Sequence, residues 1–484
     1  KTMGSSRGQL ILQFLSETLL ITVMAVCIAV FLCPVILKIF KDFIPDGVKA
    51  DYLHRPKLIL FLIGLTGVVT VLSGFYPALV LSGYRPVLVL KSQATGHSSK
   101  SRNAFLRKTL TVIQFVIAQF FIMATLLVGK QIYYALHKDL GYKKDAIIIL
   151  HLPSKRTDLG RDQVFINRLH SLPQVELISI GGAAPASGGT SSTEYVYNDG
   201  KKEIKTDVQL KYGDENYISL YKIKLLSGRN LTGRDTSKAI LINATYAREL
   251  GFKNPTEASG NYITYNEKQL QIIGVVADFY QKSLRSAVKP LAILTSPDNY
   301  NAGTIHIALK PQTAGGNEWK TAIAAIQKSW KEIYPEDDFD YAFFDENIAK
   351  LYQSEQHTST LLSWTTSVSI LISCLGLLGL ALYTTNQRTK EIGVRKVLGA
   401  SVTQILSLLS RELILLVLLA FVLVTPLAWW AMNKWMQDFA DRTPISWWIF
   451  LVSGGGMLLL ALCTSSFQTI KAALANPVKS LRSE

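Results

Sequence analysis

Six long apolar stretches punctuate the chain: Leu10–Ile39, Leu58–Leu81, Thr109–Gly129, Leu361–Thr384, Leu413–Asn433 and Trp447–Ile470, all nearly free of charge. A bilayer core of about 30 Å takes roughly 20 helical residues at about 1.5 Å each, and every stretch reaches that length. Six such runs exceed what the buried helices of one soluble protein would show, so the pattern predicts an α-helical polytopic membrane protein. Between the third and fourth spans the period changes. Short runs rich in β-branched residues predict strands at Ala146–Leu152, Glu176–Ile180, Ala239–Ile242, Gln271–Val276, Leu291–Leu294 and Ile305–Leu309. Longer amphipathic patterns predict helices at Gln163–His170, Asn243–Leu250, Trp319–Ile333 and Asp345–Gln356. Residues 130–358 therefore form a predicted soluble α+β domain, long enough for its own core or for two subdomains. Gly181-Gly182 and Gly188-Gly189 around Pro185 predict a flexible loop there. No GxxxxGK[ST] spacing accompanies them, so they do not form a phosphate cradle.

Charge orients the spans. Of a net +16, the soluble segment holds 28 Lys/Arg against 26 Asp/Glu, and the rest of the chain 23 against 9. The basic excess belongs to the membrane part, which argues against nucleic-acid binding. Arg85, Lys91, Lys100, Arg102, Arg107 and Lys108 crowd one loop; Arg388, Lys390, Arg395 and Lys396, with Glu391, crowd another; Lys471, Lys479 and Arg482 occupy the C-terminal tail. Lys and Arg gather in cytoplasmic loops. These three segments are accordingly cytoplasmic, and the soluble domain lies outside. Trp429, Trp430, Trp435, Trp447 and Trp448 bracket the last outer loop as an interfacial belt would. Cys27, Cys33, Cys374 and Cys463 all fall within spans, where cysteine acts as a small apolar residue.

The chain also repeats itself. Lys1-Thr2-Met3-Gly4-Ser5-Ser6-Arg7-Gly8-Gln9-Leu10 aligns with Lys396-Val397-Leu398-Gly399-Ala400-Ser401-Val402-Thr403-Gln404-Ile405, and Glu17 with Glu412. Pro86–Lys91 resembles Pro477–Arg482, again just after a span. Two matches in the same order beside equivalent spans point to duplication. In each copy the glycine suits a left-handed helix end. Ser6 or Ser401 then suits an N-cap, with Gln9 or Gln404 completing a capping box. The motif reads as a short cytoplasmic helix, a sharp turn and entry into the membrane. The chain opens inside the first copy, whereas the second unit's motif arrives about 290 residues after that unit begins near Arg102. By symmetry a span, an outer domain and another span are expected upstream. Leu10–Ile39 is too long for a signal-peptide core.

At these residues the chain resembles the FtsX/MacB-type, or mechanotransmission, ABC transporter permeases. Lys390-Glu391-Ile392-Gly393-Val394-Arg395-Lys396-Val397-Leu398-Gly399-Ala400-Ser401 is similar to the family's cytoplasmic motif. Asp278-Phe279-Tyr280, with Ser283-Leu284 and Pro290, resembles a motif of its periplasmic core domain. Tyr280 and Arg285 stand where the family often has histidine. The resemblance covers essentially the whole chain and is nearest to the duplicated form common in Bacteroidetes-type bacteria. It implies the following division: 1–108, the later part of a first FtsX-like unit; 109–129, the first span of the second; 130–358, a MacB-like periplasmic core domain; 359–484, the remaining three spans, with the coupling motif at 386–401.

It further implies that closure of a separate ATP-binding dimer pushes on the cytoplasmic helix, and that the spans relay the motion outward. The chain carries no Walker A motif, so ATP and magnesium belong to that partner. No cofactor is expected on this chain itself. The coupling residues implied are Glu391, Ile392, Gly393, Val394, Arg395, Lys396, Gly399 and Ser401, with Lys1, Gly4 and Ser6 in the other copy. Arg395 and Lys396 would meet acidic groups, while Ile392 and Val394 would enter a groove. Glu17 and Glu412 are either paired within the bundle and part of transmission, or interfacial carboxylates at a helix N-terminus near Arg7 or Arg411.

Enzymatic readings find little support. The seven histidines are scattered without metal-ligand spacing, and there is no GxSxG elbow or Cys–His arrangement. The expected function is an inner-membrane permease exporting amphiphiles, peptides or lipoproteins, with a periplasmic adaptor or outer-membrane component as a further partner. The alternative is a non-transporting regulator of a periplasmic hydrolase or sensor kinase.

Overall fold

Every predicted span is helical, and several run well beyond the bilayer. The computed structural model describes residues 6–44, 55–83, 98–153, 159–235, 238–295, 303–313 and 315–474. They belong to two units, Lys1–Leu110 and Thr111–Glu484. In the first, α1 (Arg7–Ile39) packs along α2 (Pro56–Gly83). Both keep broad apolar faces exposed, among them Leu12, Phe31, Leu60 and Leu72, as helices solvated by lipid or by further helices would. Helix α3 (Ser98–His137) belongs to the second unit from Thr111 onward.

The soluble domain follows and has two sheets. One is four-stranded and antiparallel, ordered β11 (Tyr341–Phe343), β1 (Ile147–His151), β10 (Thr304–Leu309), β2 (Val175–Gly181). Helices α4 (Leu159–His170) and α6 (Glu318–Ile333) bring Phe165, Ile326 and Trp330 onto its Ile148, Leu150, Ile305 and Ile307. The other sheet holds β3 (Ser192–Asn198), β4 (Glu203–Tyr212), β5 (Leu225–Gly228), β6 (Ala239–Asn243), β7 (Tyr262–Tyr265), β8 (Lys268–Val276) and β9 (Leu291–Leu294). Because β7 pairs with both β3 and β8, six of these strands close on themselves and leave β5 as the edge. Closure removes unpaired edges. Tyr195, Ile240, Ile242, Tyr246, Ile263 and Ile272, with helix α5 (Ala244–Glu249), make one core of this sheet.

The predicted helix Asp345–Gln356 proves to be two. Helix α7 (Phe344–Leu351) ends, Tyr352 turns the chain at φ −108° and ψ 11°, and α8 (Gln353–Gln387) begins. Tyr352 is buried in the core beneath the barrel, which fixes the break. Helix α8 re-enters the membrane. Helix α9 (Thr389–Val397) follows, then α10 (Val402–Met436) and α11 (Trp447–Leu474). Helix α10 starts eleven residues before its predicted span, because the cap at Ser401 opens the helix directly. In the membrane, α3, α8, α10 and α11 share buried residues such as Phe115, Leu377, Val417 and Met457. Polar links among them include Gln119 Nε2 to the Val417 carbonyl at 3.3 Å, Ser453 Oγ to the Gln119 carbonyl at 3.2 Å, Ser373 Oγ to the Gln114 carbonyl at 3.2 Å, and Thr125 to Thr366 at 2.8 Å. Small hydroxyls and amides commonly bridge helices within lipid.

The Gly181–Gly189 loop is also unlike its prediction. The Gly182 carbonyl accepts from His306 Nε2 at 3.1 Å, the Ala183 carbonyl from Tyr217 Oη at 2.9 Å, and the Ala184 carbonyl from Lys211 Nζ at 2.7 Å. Lys211 also donates to Ser187 Oγ at 3.0 Å. The first half is thus pinned by buried polar side chains, and the glycine spacing could not reveal partners so distant in sequence. Burial, with a smaller push from Lys282, lowers Lys211 to about 7, and burial lowers His306 to about 3. A lysine whose folded pKa lies below its usual value of about 10.4 destabilises most below pH 7 and less as pH rises towards 10. Lys211→Met loses the bonds to Ala184 and Ser187 at every pH, so the pH dependence is the readout: the stability difference is expected to move in the variant's favour at pH 6 relative to pH 10, by on the order of a few kcal/mol. Thermal unfolding of the full chain at both pH values measures this; an equal difference at both would refute it.

Candidate functional site

The inner elbow is built from backbone rules. At the end of α9, Gly399 adopts φ +90°, a conformation other residues resist. The Ala400 N–H then reaches the Arg395 carbonyl at 3.0 Å, and the Gly399 N–H the Lys396 carbonyl at 3.1 Å. Those two bonds define a Schellman end. Beneath it Ile392 packs on Ile405 with Ala400 against them. Ser401 opens α10 with a capping box, its Oγ accepting from Gln404 N at 3.3 Å and its N–H donating to Gln404 Oε1 at 3.0 Å. Ser6 does the same for α1: Gln9 N to Ser6 Oγ at 3.3 Å, and Ser6 N to Gln9 Oε1 at 2.8 Å. The two caps share backbone angles to within a degree, φ −72°, ψ 158° against φ −71°, ψ 157°. At this level the repeat is structural. Its second match, Pro86–Lys91 with Pro477–Arg482, lies outside the described residues, as do Lys1 and Gly4.

The remaining elbow residues divide by direction. Gly393 is buried with Ile392, whereas Val394, Val397 and Leu398 are exposed. Ile392 thus faces its own elbow, which corrects its expected insertion into a groove; Val394 keeps an outward face. Arg395 pairs with Glu391 one turn back at 2.9 Å, an exposed contact worth about 0.3–0.5 kcal/mol. Lys396 is half-buried and Ser401 exposed. Glu412 meets Arg388 at 3.5 Å, so its cation comes from the hinge before α9 rather than from the expected Arg411. Glu17 is exposed on α1.

A second constellation, unmarked in the sequence, sits at the outer end. Asp441, in the loop between α10 and α11, accepts from Tyr134 Oη at 3.0 Å, from Tyr280 Oη at 2.5 Å, and from Lys138 Nζ. Helix α3 supplies Tyr134, Lys138 follows its end, and Tyr280 comes from the loop after β8. Burial works against the Asp441 carboxylate, but the bonds from Lys138, Tyr280 and Tyr134 outweigh it and hold it below the ordinary range. The bond to Asp441 in turn raises Lys138. Gln131 Oε1 accepts from Thr443 N at 2.9 Å, and Lys130 Nζ donates to the Pro444 carbonyl at 2.8 Å.

The same clamp grips α8. Arg285 Nε donates to the buried Glu355 at 2.5 Å, and its guanidinium lies 4.8 Å from the Phe439 ring centroid. Leu284 N donates to Tyr352 Oη at 3.1 Å, while the Leu284 carbonyl accepts from Asp441 N at 3.1 Å. The rest of the domain motif is internal: Asp278 accepts from Thr245 N at 2.8 Å and from Arg248 at 2.8 Å. Phe279 is buried so close to Gly141, at φ +84°, that a Cβ there would lie 2.9 Å from the phenylalanine Cβ. The signal that could have located the clamp was the pair of departures, Tyr280 and Arg285, whose side chains reach it, while Leu284 between them joins through its backbone.

Comparison with known proteins fits both ends. The chain matches the FtsX-like permease C-terminal family over residues 1–86 and again over 365–477, and the MacB-like periplasmic core domain over 109–327. It is 24% identical over 292 residues to the uncharacterized ABC transporter permease YknZ of Bacillus subtilis, covering 58% of this chain and 72% of that one. To a macrolide export ATP-binding/permease protein MacB of Mannheimia succiniciproducens it is 25% identical, over 48% of this chain and 37% of the relative. To a pyoverdine export ATP-binding/permease protein PvdT of Pseudomonas savastanoi it is 22% identical, over 51% and 37%. The chain therefore spans little more than a third of those last two. The solved periplasmic region of MacB from Actinobacillus actinomycetemcomitans aligns with a TM-score of 0.31 at 14% identity, over 45% of this chain and 97% of that one.

Asp441→Ala removes one acceptor from three donors, an expected loss of about 1–3 kcal/mol. Because the folded carboxylate titrates below its usual value of about 3.9, its contribution is full above that pH and lost only on further acidification. The difference in unfolding midpoint between parent and variant should stay level from pH 8 to 5 and shrink below about pH 4. A difference already shrinking between pH 6 and 5 would contradict the clamp.

Proposed function

The chain is an FtsX/MacB-type ABC transporter permease, and we propose that it converts ATP hydrolysis on a separate subunit into movement of its periplasmic domain. One observation carries this reading: α8 runs unbroken for 35 residues, with an ion pair at each end. At the inner end Arg388 holds Glu412, and at the outer end Glu355 holds Arg285. At about 1.5 Å per residue such a helix spans roughly 50 Å, well past a core of about 30 Å. A push on α9 has a stiff path to the base of the domain.

The surface offered to a dimeric ATP-binding subunit is defined by its chemistry: Arg395 and Lys396 present cations to acidic groups, Val394 an apolar contact, and Glu391 steadies Arg395. Gly399 and Ser401 fix the turn, as Ser6 does in the other copy, with Lys1 and Gly4 assigned to that copy by the repeat. ATP and magnesium are bound by the partner. Export is the direction favoured, since the MacB and PvdT relatives are named for exporting macrolides and pyoverdine. Amphiphiles, peptides or lipoproteins are the proposed cargo class, and the inner membrane the location, with an adaptor or outer-membrane component beyond the periplasmic domain.

In vesicles holding the chain with its ATP-binding subunit, Gly399→Pro fixes φ near −65° where +90° is needed. It should leave membrane insertion intact and lower ATP-driven movement of the periplasmic domain, read by spin-label distances across it, by about tenfold. Asp441→Ala should preserve ATP hydrolysis yet lose the same movement. Parent-like distance changes in both variants would end the coupling proposal.

A further inference from the structure

We infer that the inner end of the α10–α11 pair binds an anionic phospholipid of the cytoplasmic leaflet, its phosphodiester on Arg411. A cavity of about 410 Å³ opens there. Thr403, Ser407, Ser410 and Arg411, with one leucine among them, line its end nearer the elbow, and Leu415 and Leu462, with one isoleucine, the end deeper in the membrane. From Thr403 to Leu415 is about 18 Å along the helix, over which the wall passes from hydroxyls and a cation to hydrocarbon. A phospholipid has the same gradient, from headgroup to acyl chain. A free phosphate would gain nothing from the apolar half.

Two features mark the polar half as built for an acceptor. Arg411 makes no ion pair among the described residues, whereas Arg388 and Arg395 each hold a glutamate. Ser410 is 4% exposed, and its hydroxyl has no hydrogen-bond partner. Other hydroxyls on these helices find an acceptor: Thr425 and Thr464 the carbonyl four residues back, at 2.7 and 2.8 Å, and Ser453 the Gln119 carbonyl at 3.2 Å. A buried unpaired hydroxyl is costly, and phosphate oxygens supply the acceptors that both groups lack. Basic pockets between helices on the cytoplasmic side suit such headgroups.

The test uses the full chain in neutral detergent, titrated with phosphatidylglycerol and with phosphatidylcholine and read by native mass spectrometry. Saturable retention of phosphatidylglycerol over phosphatidylcholine is expected. Arg411→Gln should weaken it about five- to tenfold, Arg411→Lys should restore most of it, and Leu462→Trp, which fills the cavity, should remove it. Retention unchanged in Arg411→Gln would overturn the site. Displacement of the lipid by inorganic phosphate at equal concentration would overturn the lipid assignment. Should Arg411→Gln fail to insert, Leu462→Trp decides alone, and undiminished retention there refutes the proposal.

Discussion

Lipid offers a backbone no hydrogen-bond partner, so a span must satisfy its own N–H and C=O groups from end to end. That constraint governs the chain. It forbids hinges at membrane depth and displaces every turn to one face or the other. The turns observed obey it: Arg388, Gly399 and Ser401 lie at the inner end of the second unit, and Tyr352 and the Gln437–Ser446 loop at the outer end. What remains between them is stiff. Helix α10 passes through Pro426 without ending, and α8 crosses with no proline at all.

A stiff rod transmits only what its ends are fixed to, and the two ends are fixed differently. The inner elbow is held by local bonds, a Schellman end and a capping box, each worth about 1 kcal/mol and each spanning a few residues. The outer clamp is held by contacts hundreds of residues apart in sequence, centred on one carboxylate and three donors. Charge-assisted bonds are stronger than neutral ones, and the half-buried position of Asp441 spares them full screening. Geometry at the elbow is therefore cheap to specify, whereas geometry at the clamp depends on the whole fold being in place.

The same distinction decides what was legible in the sequence. Spans were legible because length alone identifies them. Strands β1, β6, β9 and β10, and the second half of β8, were legible as short, largely apolar runs because they are buried on both faces, and β2 was legible from its β-branched residues although it is only partly buried. Strand β4 carries polar residues on alternate positions, as in Asp207-Val208-Gln209-Leu210-Lys211, and β3 opens on the polar run Ser192-Thr193-Glu194, so neither left such a run. The caps at Ser6 and Ser401 were legible because a capping box closes within three residues. Asp441 was not, because nothing near it foretells Tyr134, Lys138 or Tyr280. The pinned loop after β2 failed for the same reason: its anchors, Lys211, Tyr217 and His306, come from other elements.

The division of α9 into two faces follows from these constraints. A helix of nine residues is too short to hold itself in water, so it needs tertiary contacts to persist. Ile392 provides one by packing inward on Ile405 at the start of α10, and Gly399 lets the chain fold back closely enough for the two to meet. That leaves Val394, Val397 and Leu398 outward with no partner of their own among the described residues' apolar clusters, beside a Glu391–Arg395 pair too exposed to contribute much stability. Residues retained on that face without stabilising the fold are free to serve contact. The elbow thus separates its duties along a single turn: one side fixes the angle at which α8 meets α10, and the other is left available to whatever presses on it.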